Sequence, residues 1–202
     1  MKIALHFPLP YAVEVGGVKY RLKPYFDNVL KVYALQKESE LSEVDKLDLS
    51  LELLVKDKLK IMPAQNKVEL LNAIYDALME KPKAATDGKA PAFDFIQDAG
   101  FIYASFLMDY GLDLYEEQER LHWWKFYQLF VGLSDRTKIV QVMQIRTRPI
   151  PKPTKYNAEE RVNLMRLKAQ YALEMSQEDR ERNFAAGLKR LGGIMQKMID
   201  GR

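Results

Sequence analysis

Cysteine is absent from this chain of 202 residues, and histidine occurs only at His6 and His122. The first absence excludes disulfide scaffolds, thiolate zinc sites, iron–sulfur clusters and cysteine nucleophiles. The second leaves little material for a multi-histidine metal centre. Ten glycines are too few for a fibrous chain, and 48% apolar residues are too many for a disordered one. Phosphate-cradling motifs are missing as well. The adjacent pairs Gly16-Gly17 and Gly192-Gly193 neither precede Lys-Ser/Thr nor fit a dinucleotide-binding turn, and no Gly-x-Ser-x-Gly or His-Glu-x-x-His occurs. The start, Met1 to Pro8, is too short and too broken by proline for a signal peptide. The uncharged stretch Ala99 to Met108 falls far short of the ~20 residues that span a bilayer. The expectation is one soluble cytoplasmic domain, with an appendage allowed by the length and with no metal and no cofactor.

What is present is an uneven charge. The net balance is only +3, yet residues 1–135 hold 16 basic and 21 acidic side chains, whereas residues 136–170 hold 9 basic against 2 acidic. An acidic body followed by a basic segment suggests an electropositive contact strip, for which Arg146, Arg148, Lys152, Lys155 and Arg161 are the candidates.

The patterning is mainly helical. Val13 and Val15 alternate with Glu14, and Val18, Tyr20 and Leu22 alternate with Lys19 and Arg21 around Gly16-Gly17, which predicts a β-hairpin. Phe26, Val29, Leu30, Tyr33 and Ala34 share one helical face. Ser42 to Asp45 resembles a capping box, opening a helix with Leu47, Leu51, Leu54 and Val55 as its stripe. A third helix opens near Pro63, and Lys81 to Pro91 reads as a loop. Asp94 to Tyr110 and Glu116 to Val131 read as two further helices, the first ended by Gly111. In the second, His122, Lys125 and Gln128 form a narrow polar stripe on an otherwise apolar cylinder. Ser134 is placed at the head of a shorter helix through Ile145. Arg148 to Pro153 cannot be helical, Asn157 starts an amphipathic helix through Met175, and Ser176 caps a last, glycine-weakened one. The expected architecture is a multi-helix bundle with a small N-terminal β-hairpin and a C-terminal helical extension. Its body runs over 1–148, and the proline-rich basic connector and extension over 149–202.

Three constellations invite a chemical reading. Asp94 and Asp98, one turn apart near other acids and His122, have the spacing for a cation or an acid/base pair. Helix-start carboxylates are the stronger explanation. The basic segment with Tyr156 and Tyr171 has the elements of a nucleic-acid site, but without a recognisable binding motif. The aromatic block Trp123, Trp124, Phe126, Tyr127 and Phe130 is the most unusual. Two successive tryptophans point about 100° apart on a helix, so both rarely face one core, and interfaces favour such anchors.

At this block the chain resembles a known family. Phe95 to Asp98, Ile102 to Phe106, Asp109 to Leu114, Leu121 to Phe126, Gly132-Leu133 and Met143 to Arg146 follow one another as in the "gp-fifteen" proteins of tailed phages and prophages. The likeness runs over residues 9–175. Members are typically encoded in the tail-morphogenesis region near the tape measure gene, a position typical of tail assembly chaperones. The resemblance thus implies a non-enzymatic chaperone or morphogenesis factor in the host cytoplasm. Its expected partners are the tape measure protein or the tail-tube protein, with self-association left open and a membrane excluded. Trp123, Trp124, Phe126 and Tyr127 are the expected anchors for an amphipathic client helix. The alternative is a nucleic-acid-binding accessory protein using residues 136–170. A metal-dependent hydrolase built on the aspartates ranks last.

Overall fold

A computed structural model describes residues 5–59, 62–78 and 92–174. The loop expected over Lys81–Pro91 and the helix expected after Ser176 lie outside the described residues. The chain divides into two compact units, Met1–Pro149 and Ile150–Arg202.

The first unit opens with the hairpin. Strands β1 (Ala12–Val15) and β2 (Val18–Arg21) pair antiparallel, with Val15 opposite Val18 and Ala12 opposite Arg21. Gly16 and Gly17 turn the chain at φ 57° and 74°, the positive-φ pair that a two-residue turn requires and that glycine adopts without a Cβ clash. Val13, Val15 and Tyr20 face the core. Pro24 then releases the chain into α1 (Phe26–Leu35), whose buried face includes Phe26, Val29 and Val32.

Helix α2 (Glu43–Leu54) begins as its sequence predicts, with the Ser42 hydroxyl accepting the Asp45 amide at 3.2 Å. It ends at Leu54, with Val55, the last residue of the apolar stripe, as its C-cap and no helix beyond. The reason is that the following backbone joins the hairpin: the Lys56 amide donates to the Arg21 carbonyl, and the Lys23 amide to the Leu54 carbonyl. Helix α3 (Ala64–Leu78) covers β1 and α2, burying Leu70, Ile74 and Leu78.

Two expected helices begin later than their apolar patterns suggest. After a turn over 95–98, α4 spans Ala99–Tyr110 and ends in the left-handed Gly111, φ 62°. The segment 114–120 is turns, and α5 spans only Trp123–Val131. Tertiary backbone bonds decide that boundary. The Phe26 amide donates to the Leu121 carbonyl at 3.0 Å, and the Trp123 amide donates to Pro24 at 2.7 Å. A backbone pairing with another segment cannot also continue a helix. Helix α6 (Lys138–Thr147) has Thr137 as its N-cap, with Ser134 one turn earlier bonded to Asp109. It packs on α4 and buries Ile139 and Val142.

In the second unit the prolines keep 150–154 free of regular structure. Asn157 heads α7 (Ala158–Gln170) without capping it. Its side chain instead clips the turn before, accepting the Thr154 amide at 2.8 Å and donating to the Lys152 carbonyl at 2.9 Å. Among the described residues no helix is long and apolar enough to cross a membrane.

Candidate functional site

The centre of the first unit is a stack of aromatic rings. Phe126, fully buried, lies between Phe26 (centroids 4.9 Å apart, 15° between planes) and Phe106 (5.1 Å, 11°). Trp123 and Phe130, one helical turn to either side on α5, flank it at 5.6 and 6.4 Å. Offset stacked rings gain attraction beyond their buried area.

Of the four expected client anchors, this stack claims two. Trp123 is 7% exposed and Phe126 is sealed, so neither ring reaches solvent as an anchor. The α5 periodicity turns positions 123, 126 and 130 inward together. Trp124 is half-buried, and Tyr127 alone among the four is exposed.

Phe126 nevertheless underlies a hollow, as its floor. Leu30 of α1, Phe95 of the turn before α4, Ala99 and Ile102 at the start of α4, and Leu114 and Tyr115 of the turn segment surround an opening of about 150 Å³. That is the size of a space that admits one benzene-sized group. Carboxylates stand beside its Tyr103 wall. The Tyr103 hydroxyl donates to Asp113 at 3.2 Å, and this bond, some burial, and the nearby Asp113, Tyr115 and Glu116 push the Tyr103 pKa above its usual value. Tyr115 stands over the mouth with most of its ring exposed. The hollow draws on four separate segments, so no single sequence run marks it. The legible signal was the aromatic block itself.

The two candidate aspartates are fully engaged. Asp98, 1% exposed, accepts both guanidinium nitrogens of Arg146 at 2.5 and 2.8 Å, and it also takes the Asp94 amide at 3.0 Å. Asp94 binds the Lys37 ammonium and the Tyr33 hydroxyl and accepts the Ile96 and Gln97 amides at 2.9 and 3.0 Å. Burial pushes the Asp94 pKa up, but these four donors outweigh it and hold the carboxyl below its usual range. Both side chains are thus structural. Among the described residues no group of three or more His, Asp or Glu is placed to hold a metal ion.

Arg146 therefore leaves the expected contact strip: its guanidinium is bound to Asp98 and to the Ala92 carbonyl inside the first unit. Arg148 is exposed at the end of the same unit. In the second unit Lys152 and Lys155 are exposed, whereas Arg161 is half-buried and donates to the Pro151 carbonyl.

His122 was expected on a polar stripe, and it lies wholly buried as the N-cap of α5. Its Nδ1 accepts the Trp124 amide at 3.0 Å, which requires a neutral ring carrying its proton on Nε2. Nε2 then donates to the Pro10 carbonyl at 3.2 Å, and Tyr11 packs edge-on at 5.1 Å. Burial pulls the pKa below its usual value. The Pro10 bond opposes that shift and Lys125 reinforces it. The unfolded chain takes up the proton first, so stability is complete above the unfolded pKa of about 6.5 and is lost as the pH falls through the lowered folded value. The thermal midpoint of wild type is expected to drop between about pH 7 and pH 5.5 by more than that of His122→Asn, measured by circular dichroism. Equal drops would show that His122 is not the group responsible.

The class that this arrangement defines is a mainly helical protein with an N-terminal hairpin and an aromatic hollow. The chain belongs to the Bacteriophage Gp15 protein family, whose model matches residues 5–173. A search of curated proteins and a search of solved structures each found no match.

Proposed function

We propose that this member of the family is a non-enzymatic tail assembly chaperone that holds an amphipathic helix of the tape measure protein or of the tail-tube protein. The family supports a role in building the phage particle. The observation that carries the finer reading is the hollow over Phe126. Its volume of about 150 Å³ suits one apolar side chain of a client, and the carboxylates of Asp113 and Glu116 near its Tyr103 wall suit a basic neighbour on the same client helix. Tyr115 and Tyr103 present rings and hydroxyls at the rim, the chemistry that protein interfaces favour. Release of a client during tail completion suits a shallow single-residue receptor better than a long sealed groove.

Co-expression with the tape measure and tail-tube proteins of the same genome tests this reading. One of them is expected to co-purify in moderate salt. Ala99→Phe fills the hollow from an exposed helical position, so it is expected to leave the melting temperature within the small range of surface substitutions and to reduce capture about tenfold or more. Failure of both folded partners to associate, or full capture by Ala99→Phe, would overturn it.

A further inference from the structure

A larger opening lies between the hairpin and the backbone that follows α2. This cleft, about 990 Å³, is lined by Lys19, Arg21, Lys23 and Lys56, with Tyr11 and Tyr25 as its aromatic wall. Its acidic lining residues are Asp57 and Glu119. Asp57 is already engaged with Arg21, accepting the Arg21 amide at 2.7 Å and the guanidinium Nε at 2.7 Å. Lys23 donates to the Glu52 carbonyl at 2.6 Å, a neutral acceptor, and forms no ion pair with any described residue. Lys19 and Lys56 form no ion pair with any described residue.

The cleft also runs along an open strand edge. A two-residue turn makes Val15 and Val18 a hydrogen-bonded pair, so bonding and non-bonding pairs alternate and Lys19 and Arg21 direct their backbone groups away from β1. At Arg21 both outward groups are taken: the amide by Asp57, the carbonyl by the Lys56 amide. At Lys19, two residues along the same edge, no bond to another described segment is made. A lysine on such an edge repels most strands. A strand bearing carboxylates is attracted instead.

We propose that this cleft binds an extended acidic segment of a partner polypeptide, which adds to the β2 edge at Lys19 and sets its carboxylates against Lys19, Lys23 and Lys56. Charge complementarity selects an acidic ligand, and the free edge selects a polypeptide, since nucleic acid has no use for strand pairing. The guanidinium fork of Arg21, the group best shaped for phosphate, is held by Asp57. This site is separate from the aromatic hollow, so each stands or falls without the other.

The full chain is titrated by fluorescence polarisation with a labelled peptide of alternating glutamate and threonine. The same peptide N-methylated at alternate residues and an oligodeoxythymidine of matched charge serve as comparisons. Salt-dependent binding of the unmodified peptide is expected, weakened about tenfold or more by Lys19→Glu/Lys56→Glu and unchanged by Lys125→Glu, with circular dichroism confirming that each variant folds. N-methylation is expected to weaken binding comparably without altering charge. Absence of peptide binding at low salt, equal binding by the lysine variants, indifference to N-methylation, or tighter binding of the oligonucleotide would each overturn the proposal.

Discussion

Asp98→Ala is expected to destabilise the protein by about 3–5 kcal/mol, a loss on the order of 10 °C in melting temperature for a unit of this size. The magnitude follows from what is left behind. Arg146 has a side chain only 9% exposed and makes two carboxylate contacts with Asp98. Without that carboxylate its guanidinium loses two charge-assisted hydrogen bonds, although the Ala92 carbonyl still accepts from it, and stripping a carboxylate partner from a buried charge is costly. Arg146→Met is expected to cost a similar amount from the opposite side. The double variant Asp98→Leu/Arg146→Met removes both charges and fills the space, so it is expected to be more stable than either single variant by about 2 kcal/mol or more. Urea unfolding of the three variants measures this directly. Additive losses in the double variant would show that the pair is not coupled. The pair matters for position as well as stability, because it ties α6 to the turn ahead of α4, and Ala99 at the edge of the hollow follows Asp98 directly.

Local chemistry made part of this fold legible and tertiary chemistry hid the rest. The hairpin could be read from Gly16-Gly17 because a two-residue turn is determined by its own backbone angles. Ser42 announced α2 for the same reason, its hydroxyl reaching an amide three residues away. The starts of α4 and α5 were hidden because apolar residues run straight through them. What stops α5 at Trp123 is bonding to Pro24 and Phe26, about a hundred residues earlier in the chain. His122 gave no signal of its burial, since its two partners are the Trp124 amide and the distant Pro10 carbonyl. Arg146 read as a surface cation because its counter-charge lies 48 residues away. The aromatic block was conspicuous, but composition does not tell which ring is floor and which is rim. The basic cleft was not legible either: Lys19 and Lys56 come to line one opening only after the backbone that follows α2 joins the hairpin.

The division of labour within the aromatic block leads to the other large expected effect. Phe126→Ala is expected to cost about 3–5 kcal/mol, because it opens a cavity at the one ring that touches Phe26, Phe95, Phe106, Trp123 and Phe130 together. Tyr127→Ala, on the exposed side of the same helix, is expected to change stability by no more than about 0.5–1 kcal/mol. An anchor and a floor respond oppositely in binding. Were Phe126 an anchor, its truncation would remove affinity while leaving the melting temperature nearly unchanged. As a floor, its replacement by leucine, which keeps most of the volume, is expected to lower stability by about 1–2 kcal/mol and to retain client capture. Thermal unfolding and co-purification carried out on the same Phe126→Leu and Tyr127→Ala preparations separate the two roles. A stable Phe126→Ala protein would contradict the burial of the ring, and a stable Phe126→Leu protein without client capture would make the ring itself the contact.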